Sequence, residues 1–153
     1  MSKVAIVMGS AKDQPKMQAA ADTLTRFGVE HEVRVLSAHK TPDAAFEFAA
    51  AAADQGFSVI IAGAGKAAHL AGVMAAKSLL PVIGVPLSAS LQGLDALLAT
   101  VQMPTGIPVA TVAVDGSANA ALLAIAILAL NDGRLAEKLA EYRLELAEQT
   151  LAP

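Results

Sequence analysis

Residues 58–79 read SVIIAGAGKAAHLAGVMAAKSL, and their order decides the fold. Ser58 to Ala62 is a short, almost wholly apolar run with valine and isoleucine at its centre, the signature of a strand covered on both faces. Glycines at 63 and 65 interrupt it. From Ala67 to Leu79 the chain becomes alanine-rich and helix-forming. Strand, glycine turn and helix make up the repeating unit of a parallel α/β sheet.

The same alternation extends in both directions. Further strands are predicted at Val4 to Met8, Glu32 to Leu36, Pro81 to Val85 and Val109 to Val114. Met17, Ala20, Leu24 and Phe27 keep helical spacing before Gly28, and Asp43 to Gln55 is helix-forming up to Gly56. Leu94 to Gln102 and Asn119 to Leu130 supply two more helices. After the Asn131-Asp132-Gly133 break comes an amphipathic helix within about 134–150, with Leu139 and Tyr142 on its apolar face as a packing arm. Five strands with single helical crossovers predict one domain over residues 1–153. Its fold would be a flavodoxin-like three-layer sandwich with strand order 2-1-3-4-5 and an extra C-terminal helix. In such sheets ligands bind beyond the carboxyl ends of the strands where the order reverses, here between strands 1 and 3.

Composition narrows the function. The 153 residues are 55% hydrophobic and only 16% charged, too few polar side chains to cover a small monomer, so a homo-oligomer is expected. The net charge of -3 comes with scattered basic residues, which argues against a nucleic-acid partner. The absence of cysteine removes disulfides, thiolate nucleophiles and cysteine-bound zinc, and is compatible with a reducing compartment. The longest apolar run, Ala120 to Leu130, falls short of the roughly 20 residues that span a bilayer. The opening MSKVAIVMGS lacks the long apolar core of a secretory signal. A soluble, cytoplasmic protein is expected, with no membrane partner.

Three loops converge on the predicted crevice: GSAKD after strand 1, SAHK after strand 2 and GAGKAAH after strand 3. They gather Ser10, Lys12, Asp13, Ser37, His39, Lys40, Gly63, Gly65, Lys66 and His69 beside three helix N-termini. Backbone amides and dipoles there favour a small phosphorylated ligand. In SAHKTPD, Thr41, Pro42 and Asp43 are explained as a hydroxyl cap, a first-turn proline and an acid favoured by the helix dipole. His39 and Lys40 have no such structural duty, and an imidazole is the side chain best able to exchange a proton near neutral pH. Plainer readings stand beside these: Asp13 as a helix cap, and His69 as a packed or interface histidine.

Other chemistries fit poorly. Gly63-Ala64-Gly65-Lys66-Ala67-Ala68 matches the loose dinucleotide fingerprint, but the acidic residue expected about 20 positions on is absent. A P-loop is excluded because Ile60 and Ala67 occupy positions that need glycine and serine or threonine. No serine lies in a nucleophile elbow, and the histidines have no metal-ligand spacing. Proton transfer by a histidine on a bound anion remains.

The segments MGSAKD, FGVEHEVRVLSAHKTPD, VIIAGAGKAAHLAG, LPVIGVPL, GLDALLATVQMPTGIPVATVAV and NAALLAIAIL together resemble the PurE family of N5-carboxyaminoimidazole ribonucleotide mutases. The resemblance implies a flavodoxin-like octamer that needs neither metal nor organic cofactor. It also implies transfer of a carboxylate from the exocyclic nitrogen of a ribonucleotide to carbon 4 of its imidazole. On that resemblance His39 is the general acid and base. Ser10, Asp13 and Lys40 fall on substrate-binding positions, while Ser37, Gly65 and His69 line the same pocket. The chain departs from the family pattern at Lys12, Gln14, Lys66 and Ala71, which replace serine, tryptophan, glycine and proline, and its VDGSANA loop is about two residues shorter than usual. Lys66 is expected to fold toward a substrate anion. Direct carboxylation of aminoimidazole ribonucleotide by carbon dioxide is the second reading, although the AGRSN-type loop of that class is absent. A diverged, non-catalytic binder of phosphorylated metabolites is the third.

Overall fold

The computed structural model describes residues 2–153. Five parallel strands form one sheet: β1 (Lys3–Met8), β2 (Glu30–Val35), β3 (Phe57–Gly65), β4 (Val82–Leu87) and β5 (Ala110–Thr111). Their order is β2-β1-β3-β4-β5, the flavodoxin-like arrangement expected from the alternation of strand and helix. Among the described residues six α-helices connect or extend them: α1 (Gln14–Phe27), α2 (Pro42–Ala51), α3 (Leu70–Lys77), α4 (Leu94–Val101), α5 (Ser117–Ala129) and α6 (Gly133–Leu151).

Side chains of a strand point alternately to its two faces, so each central strand feeds two cores. Val4, Ile6, Met8, Val59 and Ile61 pack on one face with Met17, Leu24 and Phe27 of α1 and Ala121, Ala124 and Ile125 of α5. Ala5, Val7, Ile60 and Ala62 pack on the other with Phe48 and Ala49 of α2 and Leu70 and Met74 of α3. Small residues let layers approach: a Cβ on Gly84 of β4 would lie 2.3 Å from Thr100 Cγ2 of α4.

The last helix packs as an arm. Leu135, Leu139 and Tyr142 lie partly buried against the α1/α5 core, and the Tyr142 ring meets Phe27 edge to face at 5.6 Å. No residue of α6 is fully buried.

Several boundaries differ from the expected ones. β3 continues to Gly65 because Ala64 and Gly65 pair in register with Pro86 and Leu87 of β4, so the two expected loop glycines are strand residues. Helix α3 starts at Leu70 instead of Ala67, since after left-handed Lys66 the Ala68 and His69 N–H groups bond carbonyls only two residues back, in a tight turn and not a helical ladder. β5 shrinks to two residues. Val112 and Asp115 still donate backbone hydrogen bonds to Gly84 and Pro86, but the paired ladder ends at Thr111, ahead of a turn in which Asp115 takes a φ of 58°. Thr41 occupies the N-cap of α2 without capping it, because its hydroxyl is engaged elsewhere.

Candidate active site

A cleft of about 440 Å³ opens beyond the carboxyl ends of β1, β2 and β3, at the point where the strand order reverses. Ser10, Asp13, Ser37, His39, Lys40, Gly65, Lys66 and His69 all line it, together with Lys12. Of the residues singled out in three separate loops, all but Gly63 therefore meet in one place; Gly63 is buried within β3 against Met17.

Each loop is folded to present its functional groups. In the β2–α2 loop the Thr41 hydroxyl accepts from the Ser37 N–H at 2.9 Å and donates to the Ser37 carbonyl at 3.1 Å. The Lys40 N–H donates to Ser37 Oγ at 3.0 Å. These local bonds satisfy the loop's own polar groups and leave the His39 and Lys40 side chains exposed on the cleft. After β3, left-handed Lys66 starts a tight turn in which the Ala68 and His69 N–H groups bond the carbonyls of Lys66 and Ala67. That turn sets His69 at the N-cap of α3.

The two histidines then meet. His39 Nε2 and His69 Nδ1 are 2.7 Å apart, with the rings nearly perpendicular at 83°. A hydrogen bond of this length places one proton between the two facing nitrogens, so one ring donates and the other accepts. His69 is thus tied directly to His39, a link that its position in the sequence did not reveal.

The electrostatics favour an anion. Lys12, Lys40 and Lys66 line the cleft and, among the described residues, none forms an ion pair with a carboxylate. Asp13 is the carboxylate of the lining. Burial pushes its pKa above the ordinary 3.8, partly opposed by a Ser10 backbone hydrogen bond and by the charges of Lys16 and Lys40. Asp13 sits at the N-cap of α1 but makes no side-chain capping bond, so its carboxylate is not committed to the helix.

The fourth wall was not anticipated. Ala89, from the loop between β4 and α4, also lines the cleft. Its neighbour Ser88 bonds Asp115 through both N–H and hydroxyl, and Lys16 Nζ reaches Ser88 Oγ at 3.1 Å. Burial works to raise the Asp115 pKa, but the Ser88 bonds and Lys16 outweigh it and hold the carboxyl below its usual range. The loop is therefore anchored from α1 and from the segment after β5. A signal existed in the sequence: SASLQG follows the strand next to β3, so it must lie beside the crevice.

Elsewhere the chemistry thins out. Among the described residues, no three histidine, cysteine or acidic side chains cluster tightly enough to hold a metal ion. No helix of the described residues is long and apolar enough to cross a membrane. A larger hollow of about 620 Å³ lies at the opposite ends of the strands, lined by Gly28, Glu30, His31, Asp132 and Arg134 among others. Its histidine is engaged locally, with His31 Nδ1 3.1 Å from the Val29 carbonyl.

Comparison with known proteins identifies the family. Residues 3–149 match the family described as AIR carboxylase. The N5-carboxyaminoimidazole ribonucleotide mutase of Pyrococcus abyssi is 54% identical over 147 residues, covering 95% of this chain and 84% of that protein. The mutase of Escherichia coli K12 is 52% identical over 153 residues, covering 98% and 90%. A chloroplastic phosphoribosylaminoimidazole carboxylase from Vigna aconitifolia is 50% identical over 146 residues, 95% of this chain but 26% of that longer protein. Among solved structures, Treponema denticola PurE superimposes with a TM-score of 0.88 at 30% identity, covering 99% of this chain and 95% of its own. With the site motifs, the strand order and these relatives in agreement, the chain belongs to the AIR carboxylase family, the PurE family that its motifs resemble.

Proposed function

We propose that the protein is an N5-carboxyaminoimidazole ribonucleotide mutase of purine biosynthesis. The observation that carries the reading is His39, held on the cleft against His69 and surrounded by lysines without carboxylate partners. Relatives with the mutase name that are about half identical over nearly the whole chain support it.

In this reading the lysines hold the substrate's phosphate, and Ser10, Ser37 and the backbone amides near the helix N-termini complete the binding of its anionic groups. His39 delivers a proton to the exocyclic nitrogen as the nitrogen–carbon bond breaks, with the bonding electron pair remaining on nitrogen. Carbon dioxide is released beside the ring. Carbon 4 then attacks it, forming the new carbon–carbon bond, and His39 takes up the displaced ring proton, which restores its starting state. Holding carbon dioxide next to its acceptor replaces a slow bimolecular capture with a reaction inside one complex. His69 serves as a positioning residue, fixing the orientation and proton arrangement of His39. No metal or organic cofactor enters these steps.

Capture of a small neutral gas requires a closed site, yet His39, Lys40, Lys66 and His69 are all exposed in the single chain. We attribute closure to the substrate and to neighbouring copies. Leu91, Leu94, Leu98 and Val101 form an apolar stripe along and just before α4, 45–74% exposed, which suits burial in a homo-oligomer. Eight copies, as the PurE resemblance implies, form the proposed assembly, and a cysteine-free chain suits the cytoplasm.

Direct carboxylation of aminoimidazole ribonucleotide is the competing reading, favoured by the Vigna aconitifolia relative. Two parallel assays separate them. The mutase converts the carboxyamino substrate without added bicarbonate, whereas rapid product formation only from aminoimidazole ribonucleotide plus bicarbonate would assign the carboxylase. Turnover of neither, with retained binding, would point to a non-catalytic metabolite binder.

A further inference from the structure

We propose that Lys66 is a phosphate-binding residue of the cleft, contributing affinity for the ribonucleotide and no rate to the carboxylate transfer. The inference rests on the reading that the substrate is a phosphorylated ribonucleotide. Lys66 is one of four described non-glycine residues with a positive φ, and it is the one that lines the cleft. A left-handed conformation is costly for a side chain with a Cβ and free for glycine, so backbone geometry alone favours glycine here. A strained position that nevertheless carries a long cation, next to a binding site, calls for a compensating contact.

Two features show what that contact is. The ammonium of Lys66 has no carboxylate within ion-pair distance among the described residues; its nearest identified anionic influence is Asp95 of α4, whose carboxylate is held mainly by the Ser90 hydroxyl. It is therefore free to meet a ligand anion. The substrate offers two, and the chemistry chooses between them. Loss of carbon dioxide dissipates the carboxylate's charge, so an ammonium placed on that carboxylate would stabilise the ground state over the transition state and slow the reaction. The phosphate keeps its charge from binding to release. A cation placed there adds affinity equally throughout and leaves the chemical step alone.

The test uses the full-length protein and two variants. Lys66→Gln keeps a polar side chain, one atom shorter, and the strained backbone but removes the charge; Lys66→Gly removes the strain as well. Calorimetric titration with aminoimidazole ribonucleotide and with its dephosphorylated nucleoside measures how much of the affinity depends on the phosphate. Loss of one charge-assisted hydrogen bond predicts that both variants bind the ribonucleotide about tenfold more weakly and the nucleoside unchanged. With the carboxyamino ribonucleotide, KM should rise by a similar factor while kcat stays within about twofold. Equal weakening toward nucleotide and nucleoside overturns the proposal, as does unchanged nucleotide affinity, a wild-type protein with no phosphate preference, or a kcat that rises severalfold when the charge is removed. Wild-type turnover is scored separately, so a protein that binds the ribonucleotide through Lys66 but does not isomerise it would refute the mutase reading and leave this inference standing.

Discussion

Replacing Gly65 by alanine would test how tightly the fourth wall of the cleft is held. Gly65 ends β3 opposite Leu87, and a Cβ there would lie 2.9 Å from the Ala89 Cβ and 3.2 Å from the Leu87 carbonyl oxygen. Carbon atoms rest at roughly 3.5–4.0 Å, so the loop after β4 must retreat by about 0.6–1 Å. It has no flexible side chain with which to absorb that shift, because the clashing atoms are a Cβ and a backbone carbonyl. Ser88 is also bonded to Asp115 and Lys16, and Ser90 to Asp95, which resists movement. Overpacking of this kind costs about 1–3 kcal/mol. For a chain of this size each kcal/mol lowers the melting midpoint by about 2–4 °C. Because Ala89 lines the site, kcat/KM should fall by about tenfold to a hundredfold, the penalty of displacing a positioning group by about 1 Å. Thermal melting and steady-state assay of the carboxyamino ribonucleotide measure both effects. Adding Ala89→Gly removes the opposing Cβ and should recover most of each loss. A Gly65→Ala protein with an unchanged midpoint and normal kcat/KM, or a double variant no better than the single one, would refute the steric argument.

Other perturbations follow from the same geometry. His39→Asn should retain ribonucleotide binding while turnover falls about 10²–10⁴-fold, the usual worth of a general acid and base, and a near-normal kcat would remove His39 from the chemistry. Glu32 is held below its ordinary pKa of 4.5 by hydrogen bonds from Lys3 at 2.6 Å and Arg34 at 2.7 Å. The unfolded chain therefore binds this proton more readily, so the contribution is present above pH 4.5 and is lost as pH falls through the folded value. Glu32→Gln should flatten the loss of stability measured by denaturant titration below pH 4.5, and an identical acid limb would contradict the assignment. Light scattering at micromolar concentration should return a multiple of the 15.5 kDa chain mass, and Leu94→Glu with Leu98→Glu should lower it. A monomer mass for the unaltered protein would exclude the proposed assembly.

The strands were legible where burial dictated composition. β1, β3 and β4 lie at the centre of the sheet, and their apolar runs could be read almost directly. β2 reads EHEVRV because it is an edge strand with polar residues among apolar ones, and its predicted start at Glu32 missed Glu30 and His31, which pair with Lys3 and Val4 of β1. β5 could not be bounded, since a ladder that pairs only Ala110 and Thr111 within an apolar run leaves no mark on hydropathy. In the cleft, residues carried by loops after β1, β2 and β3 were found because chain order and strand order together bring those loops side by side. Two contacts escaped. Ala89 has no chemistry to announce it. The bond from His39 to His69 depends on a left-handed turn at Lys66, a conformation that residue type alone would argue against.

The central claim is that the carboxylate moves within a single bound complex. The most direct measurement supplies the carboxyamino ribonucleotide with a ¹³C-labelled carboxyl group to the purified protein in unlabelled bicarbonate, and follows the carboxylated product by NMR. Transfer inside the cleft predicts product that retains nearly all of its label, formed without dependence on bicarbonate concentration. Product that has lost the label, at a rate rising with bicarbonate, would contradict it.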